Sequence, residues 1–178
     1  MKKQLLLILF IIAPFAAQSQ TFSAGGGIGV NSLVINNSLE YGLSLHLYGS
    51  VSPSELFEIE ARPGIFFAKN YFGIETGGYL KIFPFKDSFF FVAGLNLHWN
   101  GGEQTTSIHT REELYTLPVV GIGFKGLGFV HNALTIELAY QKPNPDGLTY
   151  DFRDGQNYYP HDFKGVIGLN LALIYQFN

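Results

Sequence analysis

The sequence predicts an all-β chain, folded as an eight-stranded antiparallel up-and-down barrel that crosses a membrane with its strands. Two observations carry that expectation. Six or seven stretches of about ten residues alternate strictly between apolar and polar positions, which is the period of a strand with one face in each environment. Their apolar faces run without a Lys, Arg, Asp or Glu, while the polar faces hold Gly, Ser, Asn, His and Tyr with scattered charges. A soluble barrel should present a charged outer face to water, whereas lipid tolerates only an apolar one.

The first nineteen residues form a separate unit. Lys2 and Lys3 precede the apolar run 5–12, and Ala16, Ala17 and Ser19 supply small residues for cleavage. The run is too short to span a bilayer and meets Pro14, so residues 1–19 are expected to be a secretory signal peptide. Residues 20–178 are expected to form one domain, because no Ser/Gly linker or low-complexity block divides them.

Eight strands are placed near 21–33, 41–51, 56–68, 72–83, 88–99, 115–126, 133–142 and 163–177. In the second, Tyr41, Leu43, Leu45, Leu47 and Val51 oppose Gly42, Ser44, His46, Tyr48 and Ser50. In the third, Phe57, Ile59, Ala61, Pro63, Ile65 and Phe67 oppose Glu58, Glu60, Arg62, Gly64 and Phe66. Strands four, five, seven and eight repeat the pattern, with Ile74 and Leu80, Leu95 and Trp99, Ile136 and Leu138, and Leu171 and Leu173 on their apolar faces. The sixth is ambiguous: Pro118, Val120, Ile122 and Phe124 suit one face, yet Leu117 and Val119 suit the other as well.

The connections are asymmetric. Residues 52–55 and 84–87 are short turns punctuated by proline, and 127–132 is compact. The stretches 100–113 and 143–162 are longer and polar. Aromatic residues are expected to form two interfacial girdles. Phe66, Phe67, Tyr71, Phe72, Trp99 and Tyr115 belong to the loop side, and Phe83, Phe85, Phe89, Tyr175 and Phe177 to the turn side.

Composition excludes other classes. Charged residues make up 14% of the chain and aromatics 16%, with 21 glycines and no cysteine. An ordinary soluble domain carries about 25% charged residues. Without disulfides, stability must come from strand pairing and burial. A net charge of −3 argues against nucleic acid as a partner.

This pattern of strands, turns and aromatic ends resembles the small outer-membrane β-barrel proteins of the OmpX, OmpA-transmembrane or PorT-like kind. The resemblance spans nearly the whole mature chain and lies in architecture. It implies a place in the bacterial outer membrane, contact with outer-membrane lipid, and recognition of the last strand by the assembly machinery through Tyr175 and Phe177. The chain departs from the usual pattern by one residue, since Asn178 follows Phe177.

Glu58, Glu60, Arg62, Glu75, Lys81 and Glu137 fall on the inward register, with His46, His98 and Tyr79. A buried charge must be paired or hydrated, so these residues are expected to form a polar network that fills the lumen. Neighbouring strands three and four should bring Glu58 or Glu60 toward Lys81, and Arg62 toward Glu75.

No catalytic set emerges. Lys142-Pro143-Asn144-Pro145-Asp146-Gly147 is faintly similar to the stretch after the catalytic His-x-Ser-Asn of the lipid A deacylases, but the corresponding positions hold Glu137 and Ala139. His46, His98, His109, His131 and His161 are dispersed without metal-ligand spacing, and no cofactor is expected. The expected role is structural or adhesive, with Tyr150, Phe152, Tyr158 and Tyr159 contacting an extracellular partner through the long loop. The alternatives are a lipid-modifying enzyme, a narrow channel, and a soluble lipocalin-like ligand carrier.

Overall fold

The computed structural model describes residues 21–35, 38–68, 72–85, 88–100, 103–104, 108–109, 113–127, 132–143, 148–154 and 157–177. The signal peptide expected over 1–19, and Tyr71 and His131, lie outside them. Eleven strands follow in chain order: β1 (Thr21–Ile35), β2 (Ser38–Ser54), β3 (Phe57–Ala68), β4 (Phe72–Ile82), β5 (Phe89–Asn100), β6 (Glu103–Gln104), β7 (Ile108–His109), β8 (Glu113–Leu127), β9 (Asn132–Gln141), β10 (Leu148–Asp154) and β11 (Asn157–Phe177). Eight of them pair antiparallel in the order β1-β2-β3-β4-β5-β8-β9-β11. Pairing of β1 with β11, from Phe22↔Phe177 to Ile35↔Phe163, closes the ring. Closure leaves the wall no open edge, so every wall strand has a partner on both sides.

Parity along each strand decides what faces out. Leu43, Leu45 and Leu47 on β2, Ile74 on β4, Val120, Ile122 and Phe124 on β8, and Leu169, Leu171 and Leu173 on β11 are all exposed. Their neighbours Ser44, Glu75, Val119 and Asn170 are buried. The molecule is therefore inside out relative to a soluble barrel, with an apolar exterior and a polar interior. The ambiguity of the sixth strand also resolves: Pro118 faces out, while Leu117 and Val119 are buried in the lumen.

Two apolar clusters share the lumen with its polar side chains, the second beside the charged residues of β3 and β4. Leu33, Phe66, Tyr115, Leu117, Phe163 and Val166 pack together at the loop side. Tyr79, Phe83, Phe90, Val92, Val119 and Ala139 pack at the turn side. Three expected girdle members, Phe66, Phe83 and Tyr115, thus face inward rather than toward the interface. They sit near strand ends, but on inward parity. Phe67, Phe72 and Trp99 at one end, and Phe85, Tyr175 and Phe177 at the other, are exposed.

The loop side is uneven. Only two residues separate Ile35 from Ser38, its pairing partner, and only three separate β3 from β4, so these connections are as short as the turns. The described residues of the two long stretches include paired strands. β10 pairs with the first third of β11 from Leu148↔Phe163 to Asp154↔Asn157, and Asp154 pairs with Ile108 of β7. A sheet therefore rises beyond the barrel on one side of its rim. Between that extension and the wall lies a bulge at Gly165, whose φ is +157°. Register shifts there, so that Val34 pairs with Gly165 and Ile35 with Phe163. Consecutive residues Gly165 and Val166 are both buried, which turns Phe163 inward and Lys164 outward.

Candidate functional site in the barrel lumen

Six residues from four strands form an unbroken chain of opposite charges along the lumen. At the turn side Lys125 of β8 donates to Glu58 of β3 at 2.6 Å. Lys81 of β4 reaches Glu58 at 3.4 Å and Glu60 at 2.5 Å. Arg62 then donates to Glu60 through Nε at 3.0 Å and Nη2 at 2.6 Å. Across the lumen, the same guanidinium meets Glu137 of β9 through Nη1 at 2.7 Å and Nη2 at 2.9 Å. Three cations thus balance three carboxylates. Asn170 of β11 adds a bond to Glu137 at 3.3 Å, and Ser52 one to Glu58 at 3.5 Å.

Geometry makes Arg62 the centre. Period two on β3 aligns Glu58, Glu60 and Arg62 on one inward row, and register with β4 sets Glu58 opposite Lys81. The guanidinium lies 4.8 Å from the Tyr48 ring centroid and 4.3 Å from that of Tyr79. Planar Arg can stack on rings while forking to two carboxylates, which a Lys ammonium cannot do. Arg62 and Glu137 are 75 residues apart in sequence, so this pair spans the lumen rather than neighbouring strands.

Glu75 occupies a separate layer nearer the loop side. The expected Arg62–Glu75 pair is not formed: Arg62 stands opposite Gly77, and its nitrogens are taken by Glu60 and Glu137. Glu75 instead accepts from His98 Nδ1 at 3.0 Å and from His46 Nε2 at 3.3 Å. Glycine makes room for this layer. A Cβ on Gly64, opposite both His46 and Glu75, would run into the His46 ring and the Leu45 carbonyl. Tyr115 stacks on His98 at 6.3 Å, and Phe66 meets it edge-on at 6.1 Å. Each histidine engages a different oxygen of Glu75, and among the described residues no His/Cys/Asp/Glu group is arranged to hold a metal ion.

Five of the inward sextet named from sequence join the six-residue ion chain, and Glu75 lies in its own layer. Ser44, Asn96, Gln141 and Asn170, on polar faces by parity but not named as site residues, complete the polar filling with Lys125 and Asn31. Asn31 donates to Ser44 at 3.0 Å and Asn96 to Gln141 at 3.0 Å. Parity would have found Lys125, since Phe124 faces out beside it. The four aromatics named as loop contacts lie on a hairpin. Register sets Phe152 opposite Tyr159, Tyr150 opposite His161 and Arg153 opposite Tyr158.

Both oxygens of Glu60 and of Glu137 accept from cationic donors, which leaves neither carboxylate disposed to take a substrate proton.

The backbone places the chain among solved structures. The N-terminal β-barrel domain of Pseudomonas aeruginosa OprF superposes with a TM-score of 0.57 over 90% of this chain and 98% of its own, at 13% identity. Neisserial surface protein A gives 0.57 over 90% and 100%, at 9% identity. The outer membrane protein OprG of Pseudomonas aeruginosa gives 0.57 over 89% and 96%, at 12% identity. The chain has the fold of a small outer-membrane β-barrel. No protein-family model matches its sequence, and no curated protein matches it significantly. At these identities the likeness concerns the fold of the barrel, while its lumen chemistry is read from its own residues.

Proposed function

We propose that this chain is an integral barrel of the bacterial outer membrane with a structural or adhesive role, a closed polar lumen and no catalysis. The observation that supports it best is the inversion of polarity across the wall. Leu47 is 67% exposed on the outside, whereas Glu137 in the lumen is 1% exposed. An exterior belt of Leu, Ile, Val and Phe on all eight wall strands far exceeds the apolar patches that water tolerates.

The lumen reading follows from its bonding. A chain of paired charges packed against apolar side chains leaves little for an ion to follow, and about eight strands enclose only enough room for side chains. Function then falls to the rim. The hairpin carrying Tyr150, Phe152, Tyr158 and Tyr159 is the proposed contact for an extracellular partner, since aromatic residues dominate binding hot spots. The last strand, ending in the exposed pair Tyr175 and Phe177 with ring centroids 4.9 Å apart, is the proposed signal for outer-membrane assembly.

Expression with residues 1–19 in place, followed by outer-membrane isolation and electrophoresis with and without boiling, tests this reading. It predicts recovery in the outer membrane and a heat-dependent mobility shift. A water-soluble periplasmic product without a shift contradicts it.

A further inference from the structure

Charge balance leaves one group of the lumen unmatched. Lys125, Lys81 and Arg62 are neutralised by Glu58, Glu60 and Glu137, so the ion chain carries no surplus cation. Glu75, 2% exposed, stands apart from that chain. Its side-chain partners among the described residues are His98 Nδ1 at 3.0 Å on one oxygen and His46 Nε2 at 3.3 Å on the other. A carboxylate buried between two neutral imidazoles would be an uncompensated charge, which a low-dielectric interior penalises heavily.

Among the described residues, the strands around this layer supply no other counter-charge. On β1, Gly27 stands opposite His46, and on β3, Gly64 stands opposite both His46 and Glu75. Arg62, the next inward residue on β3, is committed to Glu60 and Glu137. The remaining titratable neighbours are phenols. Tyr48 meets His46 edge-on at 6.2 Å, Tyr115 stacks on His98 at 6.3 Å, and Tyr79 lies two inward positions from Glu75 along β4. Asn96 of β5, Gln141 of β9 and Asn170 of β11 fill the lumen from the other strands and are neutral.

We propose that His46, Glu75 and His98 form a proton-binding site, in which the two imidazoles together hold one proton at neutral pH as the counter-charge of the carboxylate. That proton makes one ring an imidazolium, and each oxygen of Glu75 accepts from one ring N–H. Because both rings face the same carboxylate, the proton belongs to the pair rather than to either histidine. The His46 side chain is 8% exposed and that of His98 is fully buried, so exchange with water runs through His46. The His98 ring also meets Phe66 edge-on at 6.1 Å and stacks with Tyr115, both members of the loop-side cluster. The bound proton therefore lies where that cluster meets the polar filling of the lumen.

The test is ring-nitrogen NMR of the folded full-length barrel, with nitrogen-15 in its histidines. It is run in micelles at a pH of about 7.5, where an exposed histidine is only about one-tenth protonated. His46 and His98 of the wild type are expected to show the signal of one imidazolium and one neutral ring between them. Glu75→Gln should lose the imidazolium, leaving both rings neutral. His46→Gln should leave His98 as a full imidazolium, with heat-dependent mobility showing that each variant folds. If Glu75→Gln does not fold, the wild type and His46→Gln decide the question. Two neutral rings in the wild type, or a neutral His98 in His46→Gln, overturn the proton site. An imidazolium that persists in Glu75→Gln overturns it as well, because its charge would not then answer the carboxylate.

Discussion

Arg62 is the residue on which the lumen depends, because two buried carboxylates have their charge satisfied through one guanidinium. Replacing it by Leu would leave Glu137 with only Asn170 as its side-chain donor, and Glu60 with Lys81 alone. Breaking a buried pair from one side costs about 3–5 kcal/mol, so Arg62→Leu should lower the unfolding midpoint in urea by that equivalent. Glycine positions offer a finer contrast. A Cβ on Gly29 would strike Ser44 Oγ and Asn170 Oδ1, whereas one on Gly49 would meet nothing within 4 Å. Gly29→Ala should cost about 1–3 kcal/mol through overpacking, and Gly49→Ala should stay within about 0.5 kcal/mol of wild type. Equal effects at the two positions would contradict the packed lumen.

At the scale of the strand, depth in the bilayer sets the cost of a charge. Leu171 is central among the outward residues of β11, between Ile167 at the loop side and Tyr175 at the turn side. Leu171→Arg should destabilise the barrel in vesicles by about 2–4 kcal/mol, while Ile167→Arg, at the interface, should cost about 0–1 kcal/mol. Unfolding titrations of the two variants in the same vesicles measure the difference; equal costs would mean that no hydrocarbon slab surrounds the wall. Faces were legible in the sequence because parity needs no knowledge of partners: Leu43, Ile74 and Leu171 faced out wherever their strands paired. Partners were not legible. Arg62 meets Glu137 across the barrel, which depends on tilt and closure rather than on neighbouring strands. The β10–β11 hairpin was hidden by Pro160 and by the Asn-Pro-Asp-Gly turn residues before it, which punctuate the chain as a loop would.

Across the whole molecule, polarity runs opposite to that of a water-soluble barrel, and each feature of the site follows from this. The lumen can hold charge because the charges cancel pairwise, and the proposed membrane setting accounts for the apolar exterior. The single tryptophan, Trp99, is an outward residue on β5 at the loop-side rim, 58% exposed, and it reports directly on what surrounds the wall. The decisive measurement is quenching of Trp99 fluorescence in the reconstituted barrel, with brominated phosphatidylcholine compared against aqueous iodide. The inside-out barrel predicts strong quenching by bromine near the headgroup end of the acyl chain and weak quenching by iodide. Efficient iodide quenching with no response to brominated lipid would put water on the apolar wall and contradict the account.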